Sequence, residues 1–256
     1  MSFVFPVTTP SVPVVGESAR FPVRRIFCVG RNYAAHAREM GKDPDKEPPF
    51  FFTKPADAVV ESGATIPYPP ETKNLHYEME LVLAIGREGS NIPPERAFDY
   101  IWGYCCGIDL TRRDLQGQAK DMGRPWDWGK AFDQSAPVSA IHKASEVGRV
   151  DKGRIWLAVN GKTKQDSDLS LMIWPIPDIM AFLSRSMKIM PGDLVMTGTP
   201  EGVGPVVPGD RITGGIDKLG EISDPGDRIT GGIDKLGEIS VTIAPAEAGV
   251  SGIAAE

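Results

Sequence analysis

The 256-residue chain has no apolar run near the roughly 20 residues needed to span a bilayer, so no transmembrane helix is expected. Cysteine is scarce: Cys28, Cys105 and Cys106 are the full set. An odd number, two of them adjacent, makes a poor disulfide framework. No C-x-x-C spacing offers a thiolate zinc site. These thiols are expected as small buried hydrophobes in a reducing compartment. Basic charge is not in excess either. With 28 Lys and Arg against 34 Asp and Glu, the net charge of -6 gives no electrostatic reason to expect nucleic acid binding. The first residues lack an early basic cluster, and Pro6, Pro10 and Pro13 interrupt their apolar positions. A signal peptide is therefore not expected, and the cytoplasm is the simplest location.

Glycine (28) and proline (23) are abundant, which favours many short strands and turns over long helices. Residues 1–20 predict an extended, proline-punctuated arm, and 21–243 a single catalytic domain. Arg24 to Val29 reads as a strand, and Asn32 to Met40 as a helix stopped by Gly41. Tyr77 to Ile85, YEMELVLAI, is the clearest strand pattern. A second apolar strand, Ile101 to Ile108, ends at Asp109. Thr111 to Lys120 reads as helical. Ile155 to Val159 followed by Asn160-Gly161 predicts a hairpin with a type I′ turn. Pro177 to Met187 has helical spacing, and Asp193 to Thr197 reads as a strand. The sequence PGDRITGGIDKLGEIS occupies 208–223 and recurs identically at 225–240. Two units are too few for a solenoid. One copy is expected in the fold, with the other as an exposed insertion or poorly ordered. Residues 244–256 read as a loose tail.

Residues i and i+2 of a strand share a face, so Glu78 and Glu80 are expected side by side. Buried together, they repel unless a cation compensates them. An exposed edge with two solvated acids would give the same pattern. Asp109, where a second apolar strand turns polar, would add a third carboxylate. An all-oxygen set with open positions suits Mg²⁺ or Mn²⁺. Asp109 could equally cap the helix that follows. His36 and Glu39, three apart on a helical turn, can share a face, so that the carboxylate orients the imidazole for general base work on water. A surface pair of little consequence has the same spacing. Lys130 lies near Trp126, Trp128 and Phe132 and could hold a substrate carboxylate or a developing enolate. It could also snorkel at the surface. Thr199 in GTPEGVG could offer a hydroxyl and backbone N–H groups to an anion, or belong to a simple turn.

The ordered set GRNYAAHAREMG, FFTKP, HYEMELVLAIG, GYCCGIDLTRRDLQ, WDWGKAFDQSAPVS, MPGDLVMTGTPEGVG and PGD…KLGEIS resembles the fumarylacetoacetate hydrolase superfamily over about residues 22 to 243. Within it, the compact acylpyruvase and fumarylpyruvate hydrolase branch is the most similar. The resemblance implies an α+β, mostly β fold, a mixed β-sandwich roll, and a homodimer. It implies Glu78, Glu80 and Asp109 as ligands of one Mg²⁺ or Mn²⁺, and His36 with Glu39 as a water-activating dyad on a lid. Lys130, Gln116 and Thr199 match contacts to substrate or intermediate, and Arg31, Lys54 and Arg113 lie in matching motifs. The implied reaction is hydrolysis of the C3–C4 bond of a 2,4-dioxo acid such as fumarylpyruvate, with pyruvate enolate as leaving group. Decarboxylation of oxaloacetate, or isomerisation or hydration of an oxo-acid, would use the same enolate chemistry. A metal-binding protein without catalysis is a rival of another class.

Overall fold

The structure, a computed structural model, describes residues 4–39, 48–217 and 235–246. Its centre is the strand Met79–Ile85, buried along its whole length. Alternation along a strand sends Leu81, Leu83 and Ile85 to one core and Val82 and Ala84 to another. Both faces therefore need cover. On one side lie Leu157, Ile212 and Val241 of a five-stranded sheet, together with Ile179 and Leu183 of the helix Ile176–Ser186. On the other lie Val12, Val14, Phe21 and Val23. The N-terminal arm thus packs on the core: Ser11–Val12 pairs with Phe21–Pro22, and Val14 bridges to Ile141.

The central strand belongs to an eight-stranded mixed sheet. Its neighbours are Asp193–Met196 and Ile101–Ile108, both antiparallel to it, while Asp193–Met196 runs parallel to Arg25–Gly30. Three strands then cross a corner together into a small sheet of Gly204–Val206, Leu75–Tyr77 and Thr111–Arg112. The neighbour order is the same on both sides of the corner, with the strand containing Leu75–Tyr77 in the middle. At the corner the backbone N–H of Asp109 donates to the carbonyl of Glu78 at 2.8 Å. The site is built there.

The mostly β, α+β roll agrees with the sequence expectation. Several local expectations need correction. YEMELVLAI is not one strand, because it breaks at Glu78 to change sheets. Thr111–Arg112 is a strand, and the helix begins at Arg113 and runs to Asp121. The first helix is Ala34–Glu39, and its expected stop at Gly41 lies outside the described residues. Asn160 (φ 51) and Gly161 (φ 76) both have the positive φ that a type I′ turn requires.

Among the described residues, each copy of the repeat contributes to one strand pair. Arg211–Asp217 comes from the first and Lys235–Ser240 from the second, and they pair with Thr213 opposite Ser240 and Gly215 opposite Glu238. Residues 218–234 and the expected tail from 247 onward lie outside the described residues. Deleting residues 218–234 leaves one intact copy and lets Gly215 and Glu238 close a short hairpin. A shorter connection costs less closure entropy, so the deletion should keep the fold and hold or raise its thermal midpoint. A variant that precipitates or melts well below the parent would count against this pairing.

Candidate active site

Glu78 and Glu80 come from the middle strand at the corner and Asp109 from its neighbour. All three are buried, and each offers an oxygen within 4.8 Å of the other two. Asp109 does not cap the following helix; Arg112 occupies that position, without a side-chain cap. Each carboxylate is compensated differently. Glu78 receives Lys130 Nζ at 2.8 Å on one oxygen and the Arg113 guanidinium on the other. Burial opposes its charge, yet these two cations hold its pKa far below the usual range. Asp109 accepts Lys130 Nζ at 2.7 Å, and Lys54 Nζ stands 2.9 Å from its other oxygen. Glu80 accepts one backbone N–H, from Gly198 at 2.6 Å. Burial first, then Asp109 and Glu78, push its pKa well up.

The surrounding elements fix these geometries. Gly198 has φ +96°, which suits glycine, and a Cβ there would sit 2.6 Å from Asn32. The short helix Asp127–Lys130 lies hard against the helix Arg113–Asp121: a Cβ on Gly129 would come within 2.9 Å of the Gln116 backbone. That approach buries Lys130, whose ammonium also donates to Thr111 Oγ1 at 2.7 Å. Burial disfavours its charge, but Asp109 and Glu78 outweigh burial and raise its pKa. Its aromatic neighbour is Phe52, 5.0 Å from Nζ, and Trp128 is 79% exposed, so the expected Trp128 and Phe132 surroundings are corrected. Phe132 instead faces Lys54 and Arg112.

A cavity of about 30 Å³, room for one water, meets Glu78, Glu80 and Lys130 together with His36, Arg31, Arg113, Gln116 and Thr199. His36 is buried, and its Nδ1 lies 3.2 Å from Glu39 Oε2. Gly202 N–H donates to the same Glu39 oxygen at 3.3 Å. Gln116 accepts from Arg113 at 2.8 Å, and Thr199 Oγ1 accepts from Gln165 at 2.9 Å. Arg31 holds a left-handed φ of 57° and stacks 5.1 Å from the Phe50 ring. Lys54 differs from the rest. It does not line the cavity but lies beneath it, donating to the carbonyls of Leu110 and Lys130. Sequence reasoning missed Thr111, Phe52 and Lys120, which also take part. Lys120 was legible as the i+7 neighbour of Arg113 on one helix face. A wider cleft of about 700 Å³ adjoins the cavity, and Arg31, Phe52, Trp126 and Lys130 line both.

The carboxylates fit a hard divalent cation. Asp109 Oδ1 is buried and accepts no hydrogen bond, although the Lys54 ammonium stands 2.9 Å away as an ion-pair partner. Glu80 is the least compensated acid. Both features suit an all-oxygen ligand set with room for outside ligands.

The chain matches the family profile "Fumarylacetoacetate (FAA) hydrolase C-terminal" over residues 25–244. It is 51% identical over 170 residues to a fumarylpyruvate hydrolase from Ralstonia sp, covering 66% of this chain and 88% of that protein. It is 42% identical to the human mitochondrial oxaloacetate tautomerase FAHD1 over 183 residues, covering 72% and 82%. Among solved structures, fumarylpyruvate hydrolase from Pseudomonas aeruginosa in complex with Mn²⁺ and pyruvate superposes with a TM-score of 0.87. It is 48% identical and covers 95% of this chain and 100% of its own.

A carboxyl whose folded pKa exceeds its unfolded one stabilises the fold below roughly pH 4, and this contribution is lost as pH rises through the folded value. Metal-free protein should therefore lose stability as Glu80 ionises, and Mn²⁺ should restore it by offsetting the buried negative charge, displacing the proton where Glu80 is still protonated. Calorimetry in two buffers of different ionisation enthalpy should show proton release and an affinity that rises with pH. Glu80→Gln should fold but lose the Mn²⁺-dependent rise in melting temperature. Tight Mn²⁺ binding by that variant would remove Glu80 from the ligand set.

Proposed function

Because the chain belongs to the fumarylacetoacetate hydrolase family, we propose that it is a divalent-metal-dependent hydrolase cleaving a carbon–carbon bond of fumarylpyruvate or a similar acylpyruvate. One observation carries this reading: Glu78 and Glu80 of a buried three-carboxylate cluster line one cavity with His36, whose Nδ1 is paired with Glu39. The relative that carries Mn²⁺ and pyruvate supports it, since pyruvate is one half of such a substrate.

Glu78, Glu80 and Asp109 would hold Mg²⁺ or Mn²⁺, which supplies Lewis-acid stabilisation to the oxo-acid end of the substrate. With the proton on His36 Nδ1, Glu39 accepts that hydrogen bond and leaves Nε2 as the base. His36 takes a proton from water, and the hydroxide adds to the C4 carbonyl. The C3–C4 bond breaks, its electron pair passing to C3 as pyruvate enolate. Return of the proton yields pyruvate, and the acyl half leaves as its acid. Lys130, fixed at the carboxylates, lends positive charge where the enolate forms, so it favours the transition state over the ground state. Gln116, Thr199, Arg31 and Arg113 orient the substrate. Lys54 acts through Asp109, as a positioning residue.

The FAHD1 relatives favour a second reading, tautomerisation of oxaloacetate. That reaction needs the enolate chemistry but no attacking water, so the His36–Glu39 pair weighs toward hydrolysis. Decarboxylation of oxaloacetate and hydration of an oxo-acid would use the same centre. A single catalytic domain over 21–243, a homodimer and a cytoplasmic location complete the proposal. Among the described residues no helix is long and apolar enough to cross a membrane.

Fumarylpyruvate, acetylpyruvate and oxaloacetate offered separately, with and without EDTA, distinguish these reactions. Loss of the dioxo-enol absorbance with equimolar pyruvate, abolished by EDTA, is expected for the acylpyruvates. Enol–keto conversion of oxaloacetate without acylpyruvate cleavage would favour the tautomerase. His36→Ala should lower kcat by about 10²–10⁴-fold while pyruvate still binds. An unchanged rate would take His36 out of the chemistry.

A further inference from the structure

The helix Arg113–Asp121 presents Arg113, Gln116 and Lys120 to the cavity, at the i, i+3 and i+7 spacing of one helix face. Its first turn is committed to the carboxylate cluster: Arg113 binds Glu78 and Gln116. Lys120 lies about 10 Å further along the axis. Its ammonium sits 4.9 Å from the Trp126 ring. Among the described residues it makes no ion pair with a carboxylate, unlike Lys130. Burial, then Arg113 and Arg31, lower its pKa to about 8. A half-buried cation beside two others, with no anion of its own, is arranged for an anion from outside the chain. Trp126 lines both the inner cavity and the wide cleft, with Arg31, Phe52 and Lys130, so an extended substrate leaving the carboxylates for the cleft runs alongside this ring.

Resting on the hydrolase reading, we infer that Lys120 recognises a carboxylate at the far end of the acyl half, and so selects acylpyruvates with an anionic acyl group over neutral ones. Arg113 marks the oxo-acid end of the helix face and Lys120 the tail end. The helix thus measures substrate length.

The test compares kcat/KM for fumarylpyruvate with that for acetylpyruvate, whose acyl group is neutral. Lys120→Gln should lower the fumarylpyruvate-to-acetylpyruvate ratio by roughly tenfold or more, mainly through KM, and Lys120→Arg should restore most of it. A ratio unchanged by Lys120→Gln, with both substrates still hydrolysed, overturns the inference and leaves the hydrolase reading standing. Should the parent protein hydrolyse neither substrate, that reading fails and Lys120 is tested by binding. Fumarate and crotonate share a length but differ in a carboxylate against a methyl at the far end. Tryptophan fluorescence of the Mn²⁺-loaded protein reads both affinities. Lys120→Gln should weaken fumarate roughly tenfold more than crotonate, and equal weakening overturns the inference.

Discussion

Three carboxylates sealed from solvent within 4.8 Å of one another are the constraint on which the rest of the structure depends. Their mutual repulsion grows as water is excluded, and each buried charge costs several kcal/mol when uncompensated. The fold answers unevenly. Lys130 serves Glu78 and Asp109 at once, Arg113 adds a second cation to Glu78, and Lys54 adds one to Asp109. Glu80 is left with a single backbone donor. The imbalance lies in placement, because the cations all sit on Glu78 and Asp109 and leave Glu80 as the carboxylate open to a divalent cation.

Architecture and chemistry meet at the corner where three strands change sheets. Alternation keeps Glu80 on the face of Val82 and Ala84, at the end of an apolar core. The strand ends at Glu78 and Asp109 sit side by side there, joined by a backbone hydrogen bond. Close packing across Gly129 and the left-handed backbone of Gly198 bring Lys130 and a backbone N–H to the carboxylates. Arg31 keeps a left-handed conformation uncommon for a side chain of its size, at the boundary between cavity and cleft. A deep two-sided core around Met79–Ile85 lets the molecule carry these costs.

Much of this was legible along the chain. The hydrophobic pattern of Met79–Ile85 and Ile101–Ile108 revealed buried strands, and Asn160-Gly161 revealed its turn, because such signals are local. The spacing of Glu78 with Glu80 and of His36 with Glu39 marked candidate pairs. It could not say whether they faced a cavity or water. Thr111 carries no motif of its own, and Lys120 only the i+7 spacing from Arg113. Trp128 and Phe132, near Lys130 in sequence, are not its partners; Phe52, far away in sequence, is.

Period, turn chemistry and the spacing of acids are properties of neighbours in sequence, so the chain alone determined the strand-rich class, the paired carboxylates and the hairpin at 160–161. The tertiary structure decided what sequence distance hides: that Asp109 joins Glu78 and Glu80, that Lys54 turns beneath Asp109, and that one strand pair draws its halves from two identical copies. Identical segments have identical local preferences. What distinguishes them is long-range pairing: the second copy runs on into Thr242–Ala244, which pair with Thr65–Pro67.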